Sequence, residues 1–151
     1  MEKYVFPYGF SLSFGDGRVK TFPAIHLSLR KENSEDEFSF LVLVDSGATI
    51  SVFTKSDAEL LGLVLENGER CLMEGVSGER FLAFLHSVVV KIAGQQIQVR
   101  IAFSERNDTP RVLGRESIFS HFFIIFDEKG GSTIFIKREK GAFEKVLYGT
   151  N

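Results

Sequence analysis

The sequence predicts an all-β fold with one or two short helices, and three observations carry that reading. Apolar residues alternate with polar ones in short runs along most of the chain. Turn-forming glycines separate those runs. Only two stretches, around 54–62 and 115–121, carry helix signals.

In chain order, Tyr4, Phe6, Tyr8, Phe10, Leu12 and Phe14 alternate with other residues, the pattern of a half-buried strand. Gly15-Asp16-Gly17 offers a turn, and Val19 to Phe22 returns as the second arm of a hairpin. Ile25, Leu27 and Leu29 alternate again, and residues 31–37 form a charged, solvated loop. The next strand, Phe38 to Val44, runs straight into Asp45-Ser46-Gly47. Thr54 or Ser56 can cap a short helix that Gly62 ends. From Cys71 to Phe103 the pattern is strand, turn, strand, turn, strand, with turns at 75–78 and 93–95. A strand over 111–113 meets Gly114, and a helical turn or two follow over 115–121. Strands 122–126 and 133–137 flank a hairpin loop. The five consecutive apolar residues from Phe122 to Phe126 predict burial on both faces.

Composition bounds the function. With 151 residues, 44% hydrophobic and 25% charged, the chain is expected to be one globular domain over 1–151. Within it an N-terminal hairpin region spans 4–22, a core 24–126 and a C-terminal hairpin 122–137. The 16 phenylalanines are read mainly as core. A net charge of -2 gives no reason to expect nucleic acid or an anionic membrane as partner. The lone Cys71 excludes an intrachain disulfide and reads as a small hydrophobe. Residues 1–10 lack the continuous apolar stretch of a secretory leader, and no run reaches membrane-spanning length, so a cytoplasmic location is expected. His26, His86 and His121 show no metal-ligand spacing, and Gly15-Asp16-Gly17 lacks the strand–loop–helix setting of a phosphate loop. Neither metal nor cofactor is expected.

The chemistry concentrates at Leu43-Val44-Asp45-Ser46-Gly47-Ala48-Thr49. A buried strand ending in Asp-Ser-Gly sets a carboxylate at the mouth of a core, and Gly47 lets backbone approach it closely. Amide hydrolysis needs an activated water and a proton donor. Two carboxylates sharing one proton supply both, because like charges a few ångströms apart cannot both ionise. Asp16, Asp36, Asp57, Asp108 and Asp127 all lack a following Ser/Thr-Gly, so the chain holds half of such a machine. Symmetry would have to bring the second carboxylate, which makes a homodimer the expected form.

These residues resemble the retropepsin-like aspartic peptidases, the single-domain relatives of pepsin. The resemblance covers about residues 38–126 and three motifs in the family's order. The first is the Leu-Val-Asp-Ser-Gly-Ala-Thr segment, in which Asp45 would be the catalytic residue and Ser46, Gly47, Ala48 and Thr49 its supporting loop. Ser46 would brace the two loops across the dimer axis, and Gly47 would make backbone contacts to the peptide. The second is the flap, Leu72-Met73-Glu74-Gly75-Val76-Ser77-Gly78, with Gly75, Val76, Ser77 and Gly78 as its substrate-facing tip. The third is Val112-Leu113-Gly114-Arg115, which in the family packs behind the catalytic loop. Thr49 stands where many retroviral enzymes have an acidic partner for that arginine, which leaves the role of Arg115 open. The resemblance implies a closed acid-protease barrel, one pepsin-like lobe, active as a symmetric homodimer. Its substrate would be an extended, hydrophobic stretch of polypeptide, cleaved without metal or covalent intermediate.

Two rivals stay open on the residues alone. One is a catalytically silent peptide-binding or dimerisation module of the same fold, which would leave unstructured proteins uncut. The other is a Phe-rich small-molecule-binding barrel, in which no pair of Asp45 side chains would meet at a two-fold axis.

Overall fold

Alternation across a strand sends every second residue of β4 (Ala24–Lys31) inward, and Ile25, Leu27 and Leu29 are all buried. The computed structural model describes residues 2–75 and 77–149. β5 (Phe38–Val44) pairs antiparallel with β4, with Leu27 opposite Phe40, and adds Phe40, Val42 and Val44 to the same core. After the Asp45 loop the chain returns as β6 (Ser51–Phe53), all three residues buried.

Helix α1 (Lys55–Leu60) begins on a reciprocal cap. Thr54 Oγ1 accepts from Asp57 N, and Asp57 Oδ2 accepts from Thr54 N at 3.0 Å. Gly62, at φ +77°, ends the helix as anticipated. A 3₁₀ turn, Leu65–Asn67, leads into β7 (Glu69–Glu74), β8 (Arg80–Ile92) and β9 (Gln95–Ser104). The β8–β9 turn has both central residues at positive φ, Ala93 at 47° and Gly94 at 72°. That matches the right-handed twist of a tight hairpin.

The thirteen-residue β8 closes the barrel because its free edge serves two neighbours. Residues 80–85 pair with β7, residues 88–91 pair with β4, and β9 runs along the other side. With β10 (Val112–Leu113) inserted between β5 and β6, the ring β4-β5-β10-β6-β9-β8 returns to β4. Packed phenylalanines fill it: Phe40 meets Phe53 edge-to-face at 5.5 Å and 90°, and Phe53 meets Phe103 tilted at 46° and 6.1 Å. Leu113 and Ile118 are fully buried in the same cluster.

A smaller sheet lies outside the ring, in the order β1 (Lys3–Pro7), β12 (Ser132–Lys137), β11 (Phe122–Asp127). Phe135 of the central strand packs against Phe6 at 5.4 Å and Phe122 at 5.3 Å. Helix α2 (Ala142–Tyr148) follows. Among the described residues no helix is long and apolar enough to cross a membrane.

The structure corrects three expectations. The N-terminal alternation is two strands and not one, because Gly9 N donates to Ala24 O and a Cβ there would lie 2.6 Å from that oxygen. β1 joins β12, whereas β2 (Phe10–Ser13) pairs only with β3 (Val19–Phe22), so Phe10, Leu12 and Phe14 are exposed and the strand is not half-buried. Residues 115–121 form successive turns and no helix. Ser117 at φ 62° breaks the right-handed path there, and Ile118 enters the core. The second helix is instead α2, on residues with no anticipated element. In β11, Phe122 is buried, whereas Ile125 and Phe126 are exposed within the chain.

One ion pair ties α1 to the chain entering β10. Arg111 gives two hydrogen bonds to Asp57, at 2.8 and 2.9 Å, and its guanidinium sits 5.4 Å from the Phe40 ring centre. The Asp57 side chain is nearly sequestered from water and also serves the helix cap, so it has several groups to satisfy. Asp57→Ala is expected to lower stability by about 2–3 kcal/mol in urea denaturation, from the lost cap and charge-assisted bonds. An unchanged midpoint would show that the pair contributes nothing.

Candidate active site

Asp45 follows directly on the buried end of β5, and the next strand of the ring fixes its backbone: Asp45 N donates to Leu113 O at 3.0 Å. The chain then turns sharply, with Ala48 N donating to Asp45 O at 3.2 Å. Inside that turn Gly47 N donates to Asp45 Oδ1 at 2.9 Å, which orients the carboxylate. A Cβ on Gly47 would come within 3.2 Å of the same oxygen, so a side chain there would crowd the acid.

The returning segment laces the loop shut from below. Arg115 N donates to Ala48 O at 2.9 Å and Glu116 N to Thr49 O at 2.8 Å. Gly114 N donates to the buried Ser51 hydroxyl at 2.9 Å. Backbone approaches backbone so closely here that a Cβ on Gly114 would sit 2.6 Å from the Ile50 carbonyl carbon. That contact is the physical reason for a glycine between Leu113 and Arg115.

Above the loop lies a cleft of about 600 Å³. Asp45, Gly47, Ala48 and Thr49 form one wall, Met73, Gly75, Glu79 and Phe81 of the β7–β8 hairpin another, and Arg106, Asp108, Thr109 and Pro110 a third. Val112 also lines it, whereas Leu113 is fully buried behind. Ser46 is exposed, and its hydroxyl makes no hydrogen bond among the described residues. Thr49 Oγ1 accepts from the Arg115 guanidinium at 3.3 Å, a weak contact between exposed groups. In the hairpin, Gly75 N donates to Glu79 O at 2.8 Å and Gly78 turns at φ +80°. Ser77 and Gly78 are exposed and do not line the cleft, and Val76 lies outside the described residues.

Sequence reasoning missed the 106–110 wall. Arg106 grips Asp108 with two hydrogen bonds, at 2.8 and 2.7 Å, and lies 4.0 Å from Glu79 across the cleft. The Arg106 guanidinium holds the Asp108 carboxyl below its usual range. The available signal was a polar run with opposite charges two residues apart, between one long apolar strand and a Pro-led short one. Among the described residues no three His, Cys, Asp or Glu side chains cluster as a metal would require. His86 instead contacts Leu65 O at 2.8 Å through Nε2 and stacks edge-on to Phe103.

Residues 33–116, more than half of the chain, match the family model described as aspartyl protease. Among solved structures the chain is similar to EIAV protease complexed with the inhibitor HBY-793. They share 20% identity over 72% of this chain and 93% of that one, at a TM-score of 0.52. It is also similar to a retropepsin-like aspartic protease from Rickettsia conorii, with 18% identity over 89% and 98% of the two chains, at a TM-score of 0.58. At such identities these likenesses speak for the fold. Comparison with curated proteins gives no match. The matched residues include both the Asp45 loop and the Gly114 segment laced beneath it, and the chain belongs to the aspartyl protease family, an aspartic endopeptidase on a retropepsin-like barrel.

Proposed function

We propose that the chain, folded as one domain, cleaves extended polypeptides as a symmetric homodimer, with one Asp45 from each subunit forming the catalytic pair. The observation that carries this reading is the state of the carboxylates in the cleft. Asp45 is held by a backbone amide and has no salt bridge among the described residues. Asp108 is gripped by Arg106, which favours its ionised form and makes it a poor proton-sharing partner. A second Asp45 is the partner that would be equivalent in environment.

In this mechanism one Asp45 carboxylate takes a proton from a water held between the pair. The water oxygen bonds to the scissile carbonyl carbon while the protonated Asp45 donates to the carbonyl oxygen. The Asp45 that took the water proton then gives it to the amide nitrogen as the C–N bond breaks, while its partner takes a proton back from a gem-diol hydroxyl as the new carboxyl group forms, which returns the pair to its shared-proton state. Ser46, exposed at the loop, would face its counterpart across the axis, and the β7–β8 hairpin would close over the peptide and exclude water. Ile50, Val52, Met73, Phe81 and Val112 give the cleft an apolar part of its lining, which supports hydrophobic side chains beside the scissile bond.

The β1-β12-β11 sheet supports a place for the interface. The outer edge of β11 is unpaired among the described residues, and Ile125 and Phe126 are 39% and 38% exposed. An apolar, unpaired edge is an aggregation hazard unless something covers it. A second copy would do so.

Asp45→Asn should reduce kcat by about 10³-fold or more while leaving melting temperature and dimer intact, since Asn keeps the shape but cannot accept the proton. Peptide cleavage by that variant at the wild-type rate would refute the role. Specific activity should fall faster than linearly on dilution through the dimer dissociation constant, followed with a fluorogenic peptide alongside ultracentrifugation. A monomer of constant specific activity would exclude the shared site. Ile125→Lys with Phe126→Lys should shift the chain towards monomer and depress activity, and enzyme excess should partly restore it. A variant pair that sediments as a dimer would place the interface elsewhere.

A further inference from the structure

The β2–β3 hairpin takes no part in the barrel or in the terminal sheet. Its register sets Phe10 opposite Phe22 and Leu12 opposite Lys20, so Phe10, Leu12 and Phe22 share one face. Phe10 and Phe22 pack together at 5.7 Å, yet Phe10 and Leu12 are each 45% exposed. An apolar ribbon face of this kind, set off from the core, is uncommon without a function.

That face overhangs a groove of about 760 Å³ whose opposite side is Ala24, Leu41 and Leu43. The groove is bounded by Thr109 and Pro110, and the same two residues wall the Asp45 cleft. The two spaces therefore adjoin across one short stretch of chain. Arg111 is the one charged side chain lining the groove among the described residues, and Asp57 already engages it with two hydrogen bonds. The polar side chains at its rim, Thr54, Ser56, Asn107 and Thr109, each already make a hydrogen bond within the chain, and the rest of the lining is apolar.

We propose that this groove is an outer subsite of the substrate cleft, which takes a large apolar side chain that the polypeptide carries beyond the residues flanking the scissile bond. The inference rests on the peptidase reading above and adds a specificity element to it. A peptide leaving the cleft past Thr109 and Pro110 meets the Phe10, Leu12 and Phe22 face next. Burying one aromatic side chain there removes apolar surface of both partners from water. The ribbon is attached through Gly9 and the segment entering β4, and its strands pair with no strand of the ring among the described residues.

The test compares full-length wild type with Leu12→Asp and Phe10→Ser. The substrates are a short peptide confined to the residues around the cleaved bond and a longer series that places one Phe at successive outer positions in a Ser background. In wild type, Phe at one outer position should lower KM roughly tenfold against Ser with kcat little changed. Both variants should lose that preference, keep wild-type hydrolysis of the short peptide, which does not reach the groove, and sediment like wild type. An outer-position preference that survives both substitutions, or that wild type lacks, overturns the subsite. A variant that sediments as a monomer means that a second copy covers the groove, and this also overturns it. Wild type that cuts none of the peptides refutes the peptidase reading itself, a result distinct from losing the outer preference alone.

Discussion

The two residues of β10 hold this structure together. Val112 and Leu113 lie parallel to β5 and Val112 antiparallel to β6, so this one short strand joins the two halves of the ring. The chain on either side continues the lacing, from Leu43 N to Arg111 O before it and from Arg115 N to Ala48 O after it. Buried backbone groups need partners, and around Asp45 most of them find one in residues 111–116. Barrel closure and the position of the acid are thus one constraint. The Asp57–Arg111 pair anchors the approach to β10, and the Gly114 contact with Ile50 and Ser51 anchors the exit.

Against that fixed floor, the other walls of the cleft are lightly held. The β7–β8 hairpin projects beyond the ring, with Leu72 65% exposed and residues 77–80 all exposed. Its link to the opposite wall, Glu79 to Arg106, is a long contact between solvated groups, and such pairs contribute little. The floor around Asp45 is tied by backbone hydrogen bonds, whereas the tip of this hairpin is solvent-exposed.

The chain ends form a second unit with its own logic. β12 is central, β1 and β11 flank it, and Phe6, Phe122 and Phe135 pack edge-on between the sheet and the barrel. Phe123 stacks with Arg138 and Phe143, which ties α2 to the outer part of β11. This arrangement leaves the apolar end of β11 exposed, whereas the β2–β3 ribbon lines a groove bounded by Thr109 and Pro110.

Local rules made much of this protein legible in sequence. Period-two alternation in β4 and the apolar run of β5 announced their strands, Thr54 and Gly62 bracketed α1, and the Ala93-Gly94 pair marked a hairpin. Asp-Ser-Gly at the end of an apolar strand marked where to look for chemistry, because a short-range pattern encodes it. What depends on distant partners was decided only in three dimensions. The N-terminal alternation could not reveal that Gly9 turns against Ala24 O and hands the two halves to different neighbours. Helix-compatible residues over 115–121 yielded to the need to bury Ile118 behind the Asp45 loop, through a left-handed Ser117. The segment 106–110 merely links β9 to β10, and it becomes a cleft wall only because the Asp45 loop and the β7–β8 hairpin are folded to face it. Alternation tells a residue which side of a strand it faces, but only the packed fold determines what waits on that side.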